Sequence, residues 1–228
     1  RNLTKSVSTG QGSSGDTDII FLRGVNQKHS GVEIETNYMV NDMLDLMFVA
    51  SFGNWKFDGD AEGTYQENEY NSEGQVVGFT TTEYAYALDG LYVGDMPQTA
   101  YILGVTVKPV KGLQLQAIHK TYDKNYSDWS PGAREYDGTD ADADRSQVWE
   151  APGYSRLDLH MSYKLPKIND LDMTLTGHIF NVLDEVYVQD AVDNSRYNSY
   201  GSKQHLAHNA EVFLGTPRYA NIGLTINF

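Results

Sequence analysis

Any chemistry in this chain must come from its acids, histidines and aromatic rings, because it contains no Cys. That excludes thiolate metal sites, Cys nucleophiles and a domain held by disulfides. The densest acidic cluster is Asp140-Ala-Asp-Ala-Asp144. Asp140, Asp142 and Asp144 have the first three ligand spacings of a calcium loop. Arg145, however, stands where such a loop turns on Gly, and Ala151 where it supplies a bidentate Glu. The stretch reads as a solvated acidic loop and only as a weak calcium candidate. The six histidines are dispersed: His205 and His208 lie three apart in a loop, while His119, His160 and His178 fall on separate strands. This lacks the convergence of a hydrolytic metal centre. Ser, His and Asp occur without a Gly-x-Ser-x-Gly nucleophile turn. The expectation is a protein that is not an enzyme and carries no metal or cofactor.

The rings offer more. Tyr84, Tyr86, Tyr92, Trp129, Trp149, Tyr197 and Tyr200 concentrate in polar connecting stretches. Aromatic faces on loops bind sugars and apolar ligands, and these seven are the candidate substrate-binding residues. The alternative is that they pack loop on loop or form an outer girdle. The formal net charge of -14 opposes nucleic-acid binding, which needs a basic footprint.

The elements that hold these loops show best at the chain's end. In Arg218–Phe228, Ala220, Ile222, Leu224, Ile226 and Phe228 fall on one face; Tyr219, Asn221, Gly223, Thr225 and Asn227 fall on the other. This is strand periodicity carried to a final aromatic residue. Such a strand buries its apolar face in a soluble core or shows it to lipid in an outer-membrane barrel. The chain has no run of 18 apolar residues, which excludes a transmembrane helix but not a barrel. It opens on Arg1 in a polar stretch with neither Met nor signal peptide, as a piece of something longer or a matured chain would.

Seven strands are expected: about 19–40, 44–57, 99–108, 113–126, 154–165, 171–187 and 218–228, with a possible remnant at 1–8. Their connections alternate short (41–43, 109–112, 166–170) and long (58–97, 127–152, 188–216). Outer-membrane barrels have short periplasmic turns on one rim and longer loops on the other. Tyr38, Tyr163 and Phe228 sit on the apolar face near the inner ends of their strands, where an interfacial girdle and assembly residues belong. Seven strands cannot close, and an open edge in lipid leaves backbone groups unpaired. Either residues 1–16 complete a small eight-stranded barrel, an adhesin or surface anchor, or the chain is part of a larger one. A soluble carbohydrate-binding sandwich is the third possibility.

Four stretches carry a resemblance. Phe21–Glu35 contains Gly-Val-Glu; Gln147–His160 contains Pro-Gly-Tyr and Asp-Leu-His; Phe180-Asn-Val-Leu-Asp-Glu-Val-Tyr187 and Gly215-Thr-Pro-Arg218 follow. In this order they resemble the C-terminal barrel of TonB-dependent outer-membrane transporters of the Bacteroidetes type. The resemblance implies an all-β, antiparallel transmembrane barrel of about 22 strands with a plugged lumen, of which residues 1–228 form the last third. The plug and the TonB-contacting segment would lie N-terminal to it. It further implies uptake of a scarce bulky nutrient: a siderophore, cobalamin or an oligosaccharide. The implied partners are TonB, the rest of the barrel and plug, the barrel-assembly machinery, a surface lipoprotein and the lipid bilayer of a Gram-negative outer membrane.

Overall fold

The computed structural model describes residues 5–11, 17–137, 139, 141–167, 171–195, 197–199 and 201–227; for 5–11, 17–21 and 65–67 it describes the backbone alone. The strands run β1 (Lys5–Gln11), β2 (Thr17–Arg23), β3 (Gln27–Asn41), β4 (Leu44–Phe57), β5 (Ala61–Tyr70), β6 (Val76–Tyr86), β7 (Thr99–Val110) and β8 (Leu113–Asp123). They continue with β9 (Asn125–Tyr126), β10 (Glu135–Tyr136), β11 (Glu150–Ala151), β12 (Tyr154–Lys164), β13 (Asp172–Phe180), β14 (Val188–Val192), β15 (Glu211–Leu214) and β16 (Tyr219–Asn227). Among the described residues a short helix, α1 (Pro131–Arg134), lies between β9 and β10, and a single 3-10 turn spans Ala207–Asn209.

Seven strands form one antiparallel meander in the order β3-β4-β7-β8-β12-β13-β16. These are the seven read from the sequence, and each neighbour follows its predecessor. Three short connections join β3 to β4, β7 to β8 and β12 to β13. The first is closed by Asn41, whose Oδ1 accepts from the Met43 N–H at 2.8 Å. The second turns at Lys111-Gly112 rather than from Pro109, because β7 carries a register shift between Val107 and Val110 that extends it. Gly112 has φ +87, and a Cβ there would lie 2.7 Å from the Lys164 carbonyl oxygen, so this turn needs glycine.

Register joins like faces across all seven strands. Phe48 faces Thr36 and Leu103, Val105 faces Leu46 and Ala117, Leu159 faces Ala117 and Ile179, and Leu175 faces Tyr163 and Leu224. Much of this apolar row is exposed, from 37% at Leu159 to 80% at Ile222, with Ala117, Tyr163 and Leu175 half-buried and the small Ala50 buried. The opposite face is mostly polar, with Glu33, Glu35, Asp45, Thr106, Gln116, Lys120, Arg156, His160, His178 and Asn221. A soluble domain would bury the apolar face, whereas an outer-membrane barrel presents it to lipid and its polar face to the lumen. The fold is therefore all-β, a curled antiparallel barrel wall. Among the described residues no helix is long and apolar enough to cross a membrane, which says nothing of strands.

Two expectations change. The stretch 58–97 is not an irregular loop. It holds the hairpin β5–β6, which joins β1, β2 and β10 in a second sheet ordered β1-β2-β5-β6-β10. The chain segments that pair as β3 and β4 pair again as β2 and β5, one residue out of register, beyond a break at 24–26 and 58–60. The second sheet is thus an outward extension of the wall. Its exposed hairpin is polar on both faces at Thr80–Glu83, so it lacks the alternation that marks a half-buried strand. Of the stretch 1–8, the described residues Lys5–Ser8 are strand, as expected for the tail of a strand: they open β1, which pairs with β2 at the edge of the outer sheet. Residues 188–216 also contain a hairpin, β14–β15.

Candidate functional site

The long connections form one packed body on the rim opposite the short turns. Its core is Leu22, Val25, Phe57, Ala61, Tyr86, Leu88, Leu91, Tyr126, Trp129 and Val148, drawn from the outer sheet, two of the three connections and the end of β4. Burying aromatic rings here gives the body its cohesion.

Polar ties join the connections to one another. Asp60 receives Arg145 in a two-point contact at 2.9 and 2.8 Å, the Tyr136 hydroxyl at 2.8 Å, and the Leu88 and Asp89 N–H groups at 3.0 Å each. Arg145's hydrogen bonds, opposed by partial burial and aided by Asp89 and Tyr136, hold the Asp60 carboxyl far below the ordinary carboxylate range. Gln147 accepts from the Tyr92 N–H at 3.0 Å and donates to the Gly90 carbonyl at 2.8 Å.

A second tie joins residues 127–152 to 188–216. Arg134 is fully buried and donates to the carbonyls of Asp144 at 2.9 Å and Ser146 at 2.7 Å. Its guanidinium lies 3.8 Å from the Asp144 carboxylate and 3.7 Å from that of Asp193. His205 bridges the two acids, with Nε2 2.8 Å from Asp144 Oδ2 and Nδ1 against Asp193 Oδ2. Burial opposes a charged ring, yet the hydrogen bonds to Asp193 and Asp144 together raise the His205 pKa above its ordinary value. For Asp144, burial is outweighed by the bonds from His205 and Ser146, and its pKa falls.

The predicted aromatics divide among these surroundings. Tyr86 and Trp129 are buried in the core with ring centroids 6.1 Å apart, so they pack loop on loop and present no ring face to the surface. Tyr92 stacks on Tyr126 at 4.2 Å under the Lys56 ammonium. Trp149 is half-buried, and its carbonyl accepts from Ser127. Tyr197 is 73% exposed. Tyr84 lines a cleft of about 790 Å³ together with Arg23, Glu62, Glu83, Glu135, Tyr136, Asp137 and Asp142. Tyr200, Asp140 and Phe228 lie outside the described residues. Asp142 is exposed and 3.7 Å from Lys203, whereas Asp144 is buried and engaged by His205, so these two do not converge on a common point. Tyr38 and Tyr163 stand in the apolar row, opposite Leu46 and Leu113 respectively, close to the short turns.

The ties through Asp60, Arg134 and Gln147 were not expected from sequence, because each spans tens of residues without a motif. The histidines are also less dispersed than they read. His160 and His178 are direct partners across β12 and β13, with Nδ1 atoms 2.8 Å apart on the lumen face. The short β12–β13 turn sets that register, so the pairing was available from strand counting.

Three of the four resemblance stretches meet where the wall joins this body. Asp158, 2% exposed, accepts from Lys120 at 2.9 Å and from the Asn181 N–H at 2.9 Å. Asn181 in turn donates to the carbonyls of Glu185 and Thr216 and accepts from the Glu185 N–H. Asp184 accepts from the Arg218 N–H at 2.9 Å. Tyr187 stacks on Tyr154 at 4.2 Å and accepts from Arg156 at 2.8 Å. A Cβ on Gly215 would fall 1.9 Å from the Tyr187 ring, so only glycine fits.

A bare apolar belt, a polar inner face, short turns on one rim and a tied loop body on the other define an outer-membrane receptor barrel. The chain belongs to the TonB-dependent receptor β-barrel family: the family model "TonB dependent receptor-like, beta-barrel" matches residues 1–182. This is a family of receptors and transporters, not of enzymes. Among solved structures, the chain is similar to the ferric-catecholate import receptor Fiu from E. coli K12 in its closed form, at 14% identity and a TM-score of 0.36. The match covers 99% of this chain and 30% of that receptor, so the chain spans under a third of its length. Comparison with curated proteins gives no match.

Proposed function

We propose that the receptor containing this chain takes up a scarce, bulky nutrient across the Gram-negative outer membrane, driven through TonB. The chain supplies barrel wall and outer loops. The observation that carries this reading is the two-faced seven-stranded sheet, apolar and bare outside and polar inside, within a receptor family. On this reading the wall is the last third of a barrel of about 22 strands, of the Bacteroidetes type. A plug and the TonB-contacting segment precede residue 1, the barrel-assembly machinery inserts the whole, and a surface lipoprotein partners the loops. Tyr38, Tyr163 and Phe228 anchor the inner interface.

The substrate classes remain siderophore, cobalamin and oligosaccharide. The cleft beside Tyr84 and Tyr136 bears Glu62, Glu83, Glu135, Asp137 and Asp142 against Arg23. Like charges there disfavour a polyanionic chelate and favour a neutral or cationic cargo. Tyr84, Tyr92, Trp149, Tyr197 and Tyr200 are the rings we assign to contact with it.

The test is uptake in cells. Loss of TonB should abolish nutrient accumulation while leaving receptor abundance unchanged; uptake that persists without TonB sinks the reading. Coding sequence before Arg1 tests the domain assignment, which requires a plug of about a hundred residues or more there.

A further inference from the structure

Five side chains lie in register across five strands of the lumen face: Thr106, Gln116, His160, His178 and Asn221. His160 and His178 form the centre of this row. Their rings are tilted by 59° with centroids 5.1 Å apart. With the Nδ1 atoms 2.8 Å apart, a metal-free pair must share one proton: one nitrogen donates and the other is bare. Two charged rings in contact would repel.

A metal ion can take that proton's place off the line between the two nitrogens, each ring turning to aim its lone pair at the ion. At a metal–nitrogen distance of about 2.0–2.1 Å, nitrogens 2.8 Å apart subtend about 90° at the ion. That is the cis angle of square-planar and octahedral sites, which suits Cu²⁺ and Ni²⁺ better than tetrahedral Zn²⁺. The flanks supply further donors. Gln116 gives its amide N–H to Thr106 at 3.1 Å, which leaves its carbonyl oxygen for the row. Asn221 stands on the other side of the pair, opposite His178. Phe180 walls the site, 5.4 Å from the His160 ring and stacked on Tyr219 at 4.7 Å. In the outer body, the carboxylate-lined cleft concentrates cations.

We propose that His160 and His178 form a transition-metal site on the lumen wall. It takes a divalent first-row ion of the Cu²⁺ or Ni²⁺ type, either alone or in a complex with two open cis positions. Gln116 and Asn221 are its flanking oxygen donors. The binding site stands by itself; its service as a station for cargo rests on the transport reading above.

The intact receptor in detergent, titrated with Cu²⁺ alone, tests this. One ion should bind with electron-paramagnetic-resonance couplings from two imidazole nitrogens. His160→Gln and His178→Gln should each weaken that binding at least tenfold while keeping the heat-modifiable gel migration of a folded barrel. His119→Gln in the apolar row and His208→Gln in the loops should leave it unchanged. A wild-type spectrum with fewer than two nitrogen couplings overturns the site without recourse to any variant. So does undiminished binding in the folded double variant. TonB-dependent uptake is read separately in cells, and its failure would remove the transport reading while leaving the metal site intact.

Discussion

Arg134→Ala removes the cation at the centre of the tie between residues 127–152 and 188–216. The guanidinium is fully buried and its two acids are buried with it, Asp193 1% and Asp144 9% exposed. The substitution strips two main-chain carbonyls of their donor and leaves two carboxylates sharing one imidazole. Breaking a buried ion pair by deleting one partner costs about 3–5 kcal/mol. His205 still faces both acids, which puts the expected cost at the low end, about 3 kcal/mol. That is roughly a hundredfold in the opening equilibrium, at about 1.4 kcal/mol per factor of ten. Hydrogen exchange on the intact receptor reads it directly. Amides in 127–152 and 188–216 should lose about two orders of magnitude of protection, while β4, β7 and β8 keep theirs. Adding Asp193→Asn should restore part of the loss, because it removes one orphaned charge. Unchanged protection in both loop segments, or equal loss along the wall, would refute the tie.

The same tie has a pH signature. His205 has a raised pKa, so its contribution is complete below the ordinary histidine value of about 6.5 and fades as pH rises through the raised value. Asp144 has a lowered pKa and contributes above the ordinary carboxylate value of about 3.9, losing that as pH falls. Loop protection should therefore be greatest between these two values and decline as pH rises above the ordinary histidine value, and His205→Gln should abolish that decline. Leu224→Arg on the apolar row should cost about 2–4 kcal/mol if near the bilayer midplane, and its neighbour Thr225→Arg on the lumen face distinctly less. Denaturant unfolding of the refolded receptor compares them, and equal damage would contradict the assigned faces. Gly215→Ala drives a methyl into the Tyr187 ring and should cost about 1–3 kcal/mol, as overpacking does. Tyr187→Leu in the same chain should relieve part of this in the same assay.

The wall was legible because each of its strands has one face in an apolar medium. Leu44, Leu46, Phe48, Ala50 and Phe52 alternate cleanly for that reason, and the loop lengths gave their direction. The β5–β6 hairpin was not legible: Thr80, Thr81, Thr82 and Glu83 meet solvent or polar neighbours on both sides, which erases the period of two. The loop aromatics misled in part. Tyr86 and Trp129 look alike in sequence to exposed Tyr197, and burial is set by the fold of the loops, which no local pattern encodes. The His160–His178 pair shows the opposite failing. The short connection between β12 and β13 leaves these positions opposite each other, yet reading each strand by itself conceals it.

The ties among the connections bear on timing. Asp60 holds Arg145 and Tyr136 across one boundary, and the Arg134 cluster spans the next. A segment so placed cannot swing out without breaking bonds to its neighbours. Its excursions are therefore coupled to theirs, which favours opening of the loops together over opening one by one. The stability of the loop body against opening is then a property of all its ties together, sensitive to any one of them.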